Sequence, residues 1–170
     1  SEMCIRDRVL TYKYVLGLKN KPHVQLSGLE KRLNRPETKE LILRLQKAAI
    51  TVPANVSGIL PLDSKLKGTV VLNIGKTPGA GLDFYNRLQN TLSLTRVVAR
   101  PDSMEAIRKR LLGSQRVIVV VTSDDYKKYK TMLDSLPADL PVVYVFLMPL
   151  KSMLDMEGYW KKAAAVVLGH

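Results

Sequence analysis

The clearest pattern in the chain begins at Thr69, where short apolar runs alternate with segments whose apolar residues recur every three or four positions. Near-continuous apolar runs at 69–74, 116–122, 141–147 and 163–168 are typical of parallel strands buried on both faces. A weaker run at 94–99 could be a further strand. The intervening segments have helical spacing and cover 82–92, 101–112, 123–136 and 151–156. This alternation predicts an α/β fold with a mostly parallel sheet, right-handed crossovers and helices on both faces.

The end of this pattern refines the fold class. The strand predicted at 163–168 is followed only by Gly169 and His170. Since a buried strand normally has a covering helix, we expect a flavodoxin-like α/β sandwich that is truncated at its C-terminus.

Two helices and a polar linker are predicted ahead of the sheet. Residues 9–18 have the pattern of the end of a helix, because Leu10, Tyr14 and Leu18 recur at fourfold spacing and Gly17 lies near the stop. The linker, 19–35, includes a short helical turn at 29–33.

The second helix begins at Pro36 and ends before Pro53, with Asn34 as a possible cap. Its predicted buried stripe consists of Leu41, Leu45, Ala48 and Ala49, with Ile42 beside it.

The first eight residues, Ser1 to Arg8, resemble the translation of a transposase-type sequencing adapter, TCG GAG ATG TGT ATA AGA GAC AG. We expect them to be an artefact that is not part of the native fold. The only cysteine, Cys4, lies among them, so a disulfide framework is excluded. Two basic and two acidic residues leave together, so the net charge stays at +12. Val9 is then not expected to be a native start.

The positive charge raises the question of nucleic acid. Lys127, Lys128 and Lys130 alternate with Tyr126 and Tyr129, and helical spacing places the tyrosines on the apolar face and the lysines on the solvated face. The other lysines are spread along the chain, so no nucleic-acid partner is expected. No apolar run is long enough to span a bilayer.

Two glycine-containing loops match phosphate-binding motifs only in part. Gly75-Lys76-Thr77 follows a strand, but Val70 stands where a phosphate loop requires glycine. Gly79-Ala80-Gly81 begins like a dinucleotide fingerprint, but Phe84 occupies the third glycine position. We interpret these segments as a solvated lysine loop and a turn of small residues, and predict no cofactor.

Few residues suggest catalysis or metal binding. Asp124 and Asp125 follow a strand, where catalytic carboxylates often lie, but capping of the next helix by Ser123 or Asp124 explains them more simply. His23 and His170 are the only histidines, one in the linker and one at the chain end, so no metal site or Ser-His relay is assembled. No catalytic, cofactor-binding or metal-binding residue is therefore predicted.

Two stretches carry a resemblance to a known family. The run from Val9 to Leu18, followed by Asn20 and Pro22, resembles the last barrel helix and linker of glycoside hydrolase family 3. The run from Glu40 to Val52, ending in Ile59-Leu60-Pro61-Leu62, resembles the start of that family's C-terminal domain. One departure is Pro53-Ala54-Asn55, which stands where the family usually has Leu-Lys-Asn.

The resemblance implies a domain without catalytic residues. Thr122 to Tyr126 lacks the Glu-Gly-x-Asp-Arg type stretch of many family β-glucosidases, so the chain is more similar to the β-N-acetylhexosaminidase branch. In that branch a barrel aspartate and a His/Asp pair perform the retaining chemistry, and both are expected upstream of Val9. The strand-end loops 75–77, 123–125 and 149–150 are then candidates for the rim of the site.

This resemblance divides the chain into an adapter artefact (1–8), the last barrel helix plus linker (9–35) and an incomplete C-terminal α/β domain (36–170). It implies packing on the barrel, a carbohydrate substrate bound through that barrel, and a bacterial periplasm or cell envelope rather than the cytoplasm. The alternative from the residues alone is a stand-alone flavodoxin-like ligand-binding module. A receiver-like domain is disfavoured, because Asn73 and Gly75 stand where an acidic pair is expected.

Overall fold

The structure, a computed structural model, describes residues 2–18, 26–153 and 162–169. The chain divides into two units, Ser1–Ile42 and Leu43–His170. The first unit contains α1 (Glu2–Val15), α2 (Leu29–Leu33) and the beginning of α3 (Pro36–Ala49). The turn predicted at 29–33 is confirmed as α2, and the helix predicted at 9–18 begins earlier, at Glu2, and ends at Val15.

The second unit is built on one sheet. Its six described strands are β1 (Thr51–Asn55), β2 (Thr69–Ile74), β3 (Leu94–Val98), β4 (Arg116–Val121), β5 (Val142–Leu147) and β6 (Ala165–Gly169), in the order β1-β6-β5-β4-β2-β3. All neighbours are parallel except β1 and β6. The five parallel strands have the 2-1-3-4-5 order of a flavodoxin-like sheet, and the predicted fold class is confirmed.

Alternating side chains of the strands form two separate cores, one on each face of the sheet. On one face, α5 (Met104–Leu112) and α6 (Lys130–Asp134) pack on residues such as Val119 and Phe146. On the other face, α4 (Leu82–Gln89) packs through Tyr85 on Ile118 and Val120. Strand β4 is therefore buried on both sides, as its uninterrupted apolar run predicts.

The helix predicted after β4 has two parts, a 3₁₀ segment, Asp124–Tyr129, and α6. Tyr126 and Tyr129 are buried, and Lys127 and Lys128 are exposed. This arrangement confirms the interpretation of the tyrosines as core and the lysines as a solvated face.

Two predictions for α3 are wrong. Asn34 caps the C-terminus of α2, where its N–H donates to the carbonyl of Glu30 (2.9 Å). The carbonyl of Arg35 instead accepts the first N–H groups of α3. The predicted buried stripe is largely solvent-exposed, with Leu45 60% exposed and Leu41 52% exposed, because none of the described residues covers it.

Strand β1 was not predicted from the sequence. It pairs antiparallel with β6, with Ala54 opposite Val166, and its register shifts between Thr51 and Ala54. Pro53 lies in this irregular stretch at the sheet edge, where a residue without an N–H group costs no ladder hydrogen bond.

Some predictions concern residues that lie partly or wholly outside the described part of the chain. The short helix predicted over 151–156 is observed as α7 (Leu150–Met153), and residues 154–156 lie outside the described residues. His23 and His170 also lie outside them. Among the helices described, none is long and apolar enough to cross a membrane.

Candidate functional site

The loops that follow β2, β4 and β5 meet at the carboxyl edge of the sheet. Between them is a cleft of about 420 Å³, here called the central cleft, lined by Lys76, Thr77, Ala80, Thr122, Ser123, Asp124, Met148, Pro149 and Ser152. It lies beside the junction of β2 and β4, where the strand order reverses. Ligands of open α/β sheets bind at this type of position.

A second cleft lies on the other side of the loop after β2. This lateral cleft, about 240 Å³, is lined by Gly75, Lys76, Thr77, Pro78, Val98, Ala99, Arg100, Pro101, Asp125, Lys128 and Tyr129. Lys76 and Thr77 line both clefts. The loop after β2, which carries both residues, therefore borders both clefts.

The loop 75–81 is tied to the sheet by side chains from two strands. Asn73 of β2 donates from Nδ2 to the carbonyl of Ala80 (2.9 Å), and Arg96 of β3 donates from Nη2 to the carbonyl of Pro78 (2.6 Å). Asn73 is 2% exposed, and its Oδ1 has no hydrogen-bond partner among the described atoms. Of the two polar atoms of this buried amide, only Nδ2 is therefore hydrogen-bonded to the loop.

Close backbone contact with β4 fixes the start of the same loop. Thr122 donates to the carbonyl of Ile74 from both its N–H (2.9 Å) and its Oγ1 (3.1 Å). A Cβ added at Gly75 would overlap Thr122 Oγ1 and the Cβ of Ala80. At Gly81 the backbone is left-handed (φ 71°), and an added Cβ would lie 3.0 Å from Nδ2 of Asn73. Glycine is required at both ends of the loop by close approach, and at Gly81 also by its φ.

A small polar network holds the carboxylate of Asp125. Lys128 donates from Nζ to Asp125 Oδ1 (2.7 Å), and Ser123 donates from Oγ to Asp125 Oδ2 (3.1 Å). The N–H of Asp125 donates back to Ser123 Oγ (3.4 Å), so Ser123 is the N-cap of the 3₁₀ segment. The hydrogen bond with Lys128, followed by that with Ser123, lowers the pKa of Asp125. The same contact raises the pKa of Lys128.

This network limits the chemistry available at the clefts. A general acid needs a carboxyl group whose pKa is raised toward neutrality, whereas the pKa of Asp125 is lowered. Asp124 is exposed at the central cleft. Among the described residues, no group of three or more His, Cys, Asp or Glu could hold a metal ion.

All three strand-end loops singled out from the sequence reach this edge. Lys76, Thr77, Ser123, Asp124 and Pro149 line the central cleft together, whereas Gly75 and Asp125 lie at the lateral cleft. Leu150 begins α7. The capping interpretation of Ser123 is confirmed.

Sequence reasoning missed the residues that position the loop and line the lateral cleft. Asn73 carried a visible signal, because it is a polar residue inside an otherwise apolar strand. Arg96 and Arg100 carried none, since each is one of many arginines in the chain and only the fold places them beside the loop.

No family model and no curated protein matches the chain. Solved structures do match it. A β-glucosidase from Listeria innocua has a TM-score of 0.65 at 16% identity, covering 94% of this chain and 27% of that one. A β-glucosidase from Chaetomella raphigera gives 0.51 at 14% identity, covering 78% and 26%. A fungal multi-domain β-N-acetylglucosaminidase of glycoside hydrolase family 3 gives 0.56 at 13% identity, covering 86% and 17%.

At these identities the matches establish the fold, and the chain spans about a quarter or less of each structure's length. The prediction drawn from the resemblance in the sequence is confirmed at this level. The chain has the α/β-sandwich fold of the C-terminal domain of glycoside hydrolase family 3.

Proposed function

We propose that this chain is the non-catalytic C-terminal domain of a family 3 glycoside hydrolase. The observation that carries the proposal is the fold match to glycosidases, which reaches 94% of the chain. The sequence resemblance supports it as well, because it rests on residues 9–22 and 40–62 and not on the strand order. In the intact protein, the barrel would bind the carbohydrate and carry out the retaining reaction, and this domain would pack on it and contribute to the rim.

The chemistry of the central cleft supports a domain without catalytic residues. Retaining hydrolysis needs a nucleophile and an acid on opposite sides of the bond, with the acid's pKa raised. The two carboxylates nearest the cleft are adjacent in sequence, and Asp125 is held ionised by Lys128 and Ser123. We infer that both catalytic groups belong to the missing barrel.

The finer assignment is to the β-N-acetylhexosaminidase branch. Its support is the sequence Thr122 to Tyr126, which forms a hydrogen-bonded cap in place of a segment with an acid/base glutamate. The solved structures do not separate the branches, since they include β-glucosidases and a β-N-acetylglucosaminidase.

The domain division 1–8, 9–35 and 36–170 is part of the proposal. Residues 43–170 are 128 of the 170 residues, about 75%, so a match over 94% of the chain extends into residues 1–42. Apolar side chains of α1 are exposed, including Leu10 (54%) and Tyr14 (72%). Packing on a barrel would bury such side chains.

An incomplete C-terminus is likewise proposed. Beside α4, the described residues leave a mainly apolar groove of about 490 Å³ on the sheet face formed by β5 and β6. It is lined by Gln46, Ile50, Phe84, Val145, Leu147, Met148, Pro149, Val167 and Gly169. A doubly wound sheet normally has both faces covered. A helix beyond β6 would complete that cover.

Enzyme assays on the fragment and on the parent test the proposal. The purified chain should not hydrolyse p-nitrophenyl N-acetyl-β-D-glucosaminide, and activity of this chain would contradict it. The parent protein, expressed from the complete gene, should hydrolyse that substrate in preference to p-nitrophenyl β-D-glucopyranoside. The reverse preference would contradict the assignment to the β-N-acetylhexosaminidase branch but not the assignment to glycoside hydrolase family 3.

The DNA upstream of codon 9 gives a second test. A barrel with a Lys-His-Phe-Pro-Gly-His-like loop is expected there in the source genome. A genuine start codon at this junction would contradict both the adapter origin and the domain division.

The stand-alone ligand-binding module is kept as a second candidate, because the strand order and the central cleft suit it. It predicts that the chain alone is a monomer that unfolds in one cooperative transition. Aggregation relieved by adding the barrel would favour the glycosidase domain.

A further inference from the structure

We propose that the lateral cleft binds an anionic group, a carboxylate or phosphate, between Lys76 and Arg100. This site differs from the central cleft and goes beyond the proposed function, since it can bind an anion whether or not the chain belongs to a glycosidase. Its two walls are the loop after β2 and the segment after β3, and its third side is the 3₁₀ segment.

The charges in this cleft do not balance. Three cations line it, Lys76, Arg100 and Lys128, against one carboxylate, Asp125. Both oxygens of that carboxylate are already used, Oδ1 by Lys128 and Oδ2 by Ser123.

Lys76 and Arg100 consequently lack a direct partner. Within the described part of the chain, neither side chain has a hydrogen bond or an ion pair. Lys76 is near enough to help lower the pKa of Asp125, but it ranks behind Lys128 and Ser123 among the causes. Two other acids, Asp102 and Asp124, are each adjacent in sequence to a residue that lines the cleft. Both are exposed, and neither lines the cleft itself. An anion would supply the missing counter-charge.

Both walls are fixed to the same residue. The side chain of Asn73 holds Ala80, at the end of the Lys76 loop, and its backbone carbonyl accepts from the N–H of Ala99 (2.9 Å), next to Arg100. Arg96 holds Pro78 in addition. Since the walls are fixed before a ligand arrives, less ordering entropy is lost on binding.

The cleft lining also includes apolar residues and a phenol. Val98 and Ala99 line the cleft and are partly buried, and apolar surroundings strengthen charge interactions. Tyr129 is 4% exposed, and burial raises the pKa of its phenol. The phenol therefore stays protonated at neutral pH and remains a hydrogen-bond donor.

Titration of the whole chain tests the site. Backbone amide resonances are followed by NMR at low ionic strength during additions of inorganic phosphate, glucuronate or glucose. Phosphate and glucuronate should shift the amides of Gly75, Lys76 and Arg100 saturably, whereas uncharged glucose should not. Tighter binding of phosphate would indicate that the cleft fits a free anion, and tighter binding of glucuronate would indicate that it fits a charged sugar.

Matched variants separate a site from general attraction to a basic protein. Lys76→Ala and Arg100→Ala should each weaken binding by about fivefold, the effect of one unit charge at contact distance in water. The double variant Lys67→Ala/Arg110→Ala removes two positive charges, twice as many as either single variant, from exposed positions outside the cleft and should still leave the affinity within about twofold. No saturable shift with either anion, or equal losses in both sets of variants, would overturn the proposal.

Discussion

The side-chain amide of Asn73 donates to the backbone carbonyl of Ala80, seven residues further along, at 2.9 Å. This bond joins the inside of a buried strand to the loop that lines both clefts. Asn73 lies in the apolar strand β2, where its polar group must be compensated. Its place in the strand is explained by the loop that it holds.

Asn73→Ala should destabilise the chain by about 1 kcal/mol, because the carbonyl of Ala80 loses its side-chain donor. The unpaired Oδ1 is removed at the same time, which keeps the loss from being larger. Urea unfolding measures it, with the exposed Asn90→Ala as control, for which a change within about 0.5 kcal/mol is expected. Equal effects in the two variants would show that the amide contributes nothing to stability.

Gly75→Ala should cost about 1–3 kcal/mol, the usual range for overpacking, because the new methyl group overlaps Thr122 and Ala80. Gly79→Ala in the same loop is the matched control. A Cβ at Gly79 meets nothing within 4 Å, so this change should be neutral or slightly stabilising. Thermal unfolding of both variants gives the comparison, and similar midpoints would contradict the close packing of Gly75 against Thr122.

The contacts of Asp125 predict a contribution to acid stability. Its pKa is lowered in the folded chain, mainly by Lys128 and then by Ser123. The contribution is therefore present above the unfolded pKa of about 3.9 and is lost as the pH falls through the lower, folded value. Asp125→Asn should flatten the loss of stability below about pH 4.

Urea midpoints measured from neutral to acidic pH test this expectation. Asp124→Asn is the control, because Asp124 is exposed and has no hydrogen bond among the described residues. If the stability of both variants depends on acidic pH as that of the unsubstituted chain does, the contacts of Asp125 do not contribute to this dependence.

Strands β2, β4 and β5 were predictable because local and tertiary preferences agree there. Apolar runs rich in β-branched residues, such as Val117 to Val121, favour a strand buried on both faces, and that burial is observed. Ser123 was predictable as a cap because the interaction is local: its hydroxyl accepts from the N–H of Asp125, two residues further along. Strand β1 was not predictable, because its pairing with β6 spans more than a hundred residues and its sequence contains Pro53.

Helix α3 and the clefts show where local patterns are insufficient. The spacing of Leu41 and Leu45 correctly predicts a helix, but spacing does not say which surface covers it, and both side chains are exposed in the described chain. Arg96 and Arg100 become important only because β3 pairs with β2 and brings them beside the loop. Charge counts along the sequence contain no such information.

At the opposite edge of the sheet, Arg116 is 2% exposed and opens β4 beside Thr69, its register partner on β2. Its Nη2 and Nε donate to Thr69 Oγ1 (3.0 and 3.2 Å), and Nη2 also donates to the carbonyl of Asp63 (3.4 Å). Burial lowers the pKa of the guanidinium, and the charge of Asp63 acts against that change. Thr69→Val keeps the shape of the side chain but removes this acceptor from a buried cation, so it should cost about 1–3 kcal/mol. Thr95→Val, the same change at an exposed position of β3, should stay within about 0.5 kcal/mol in the same urea titration. An equal, small effect at both positions would mean that the guanidinium does not depend on Thr69.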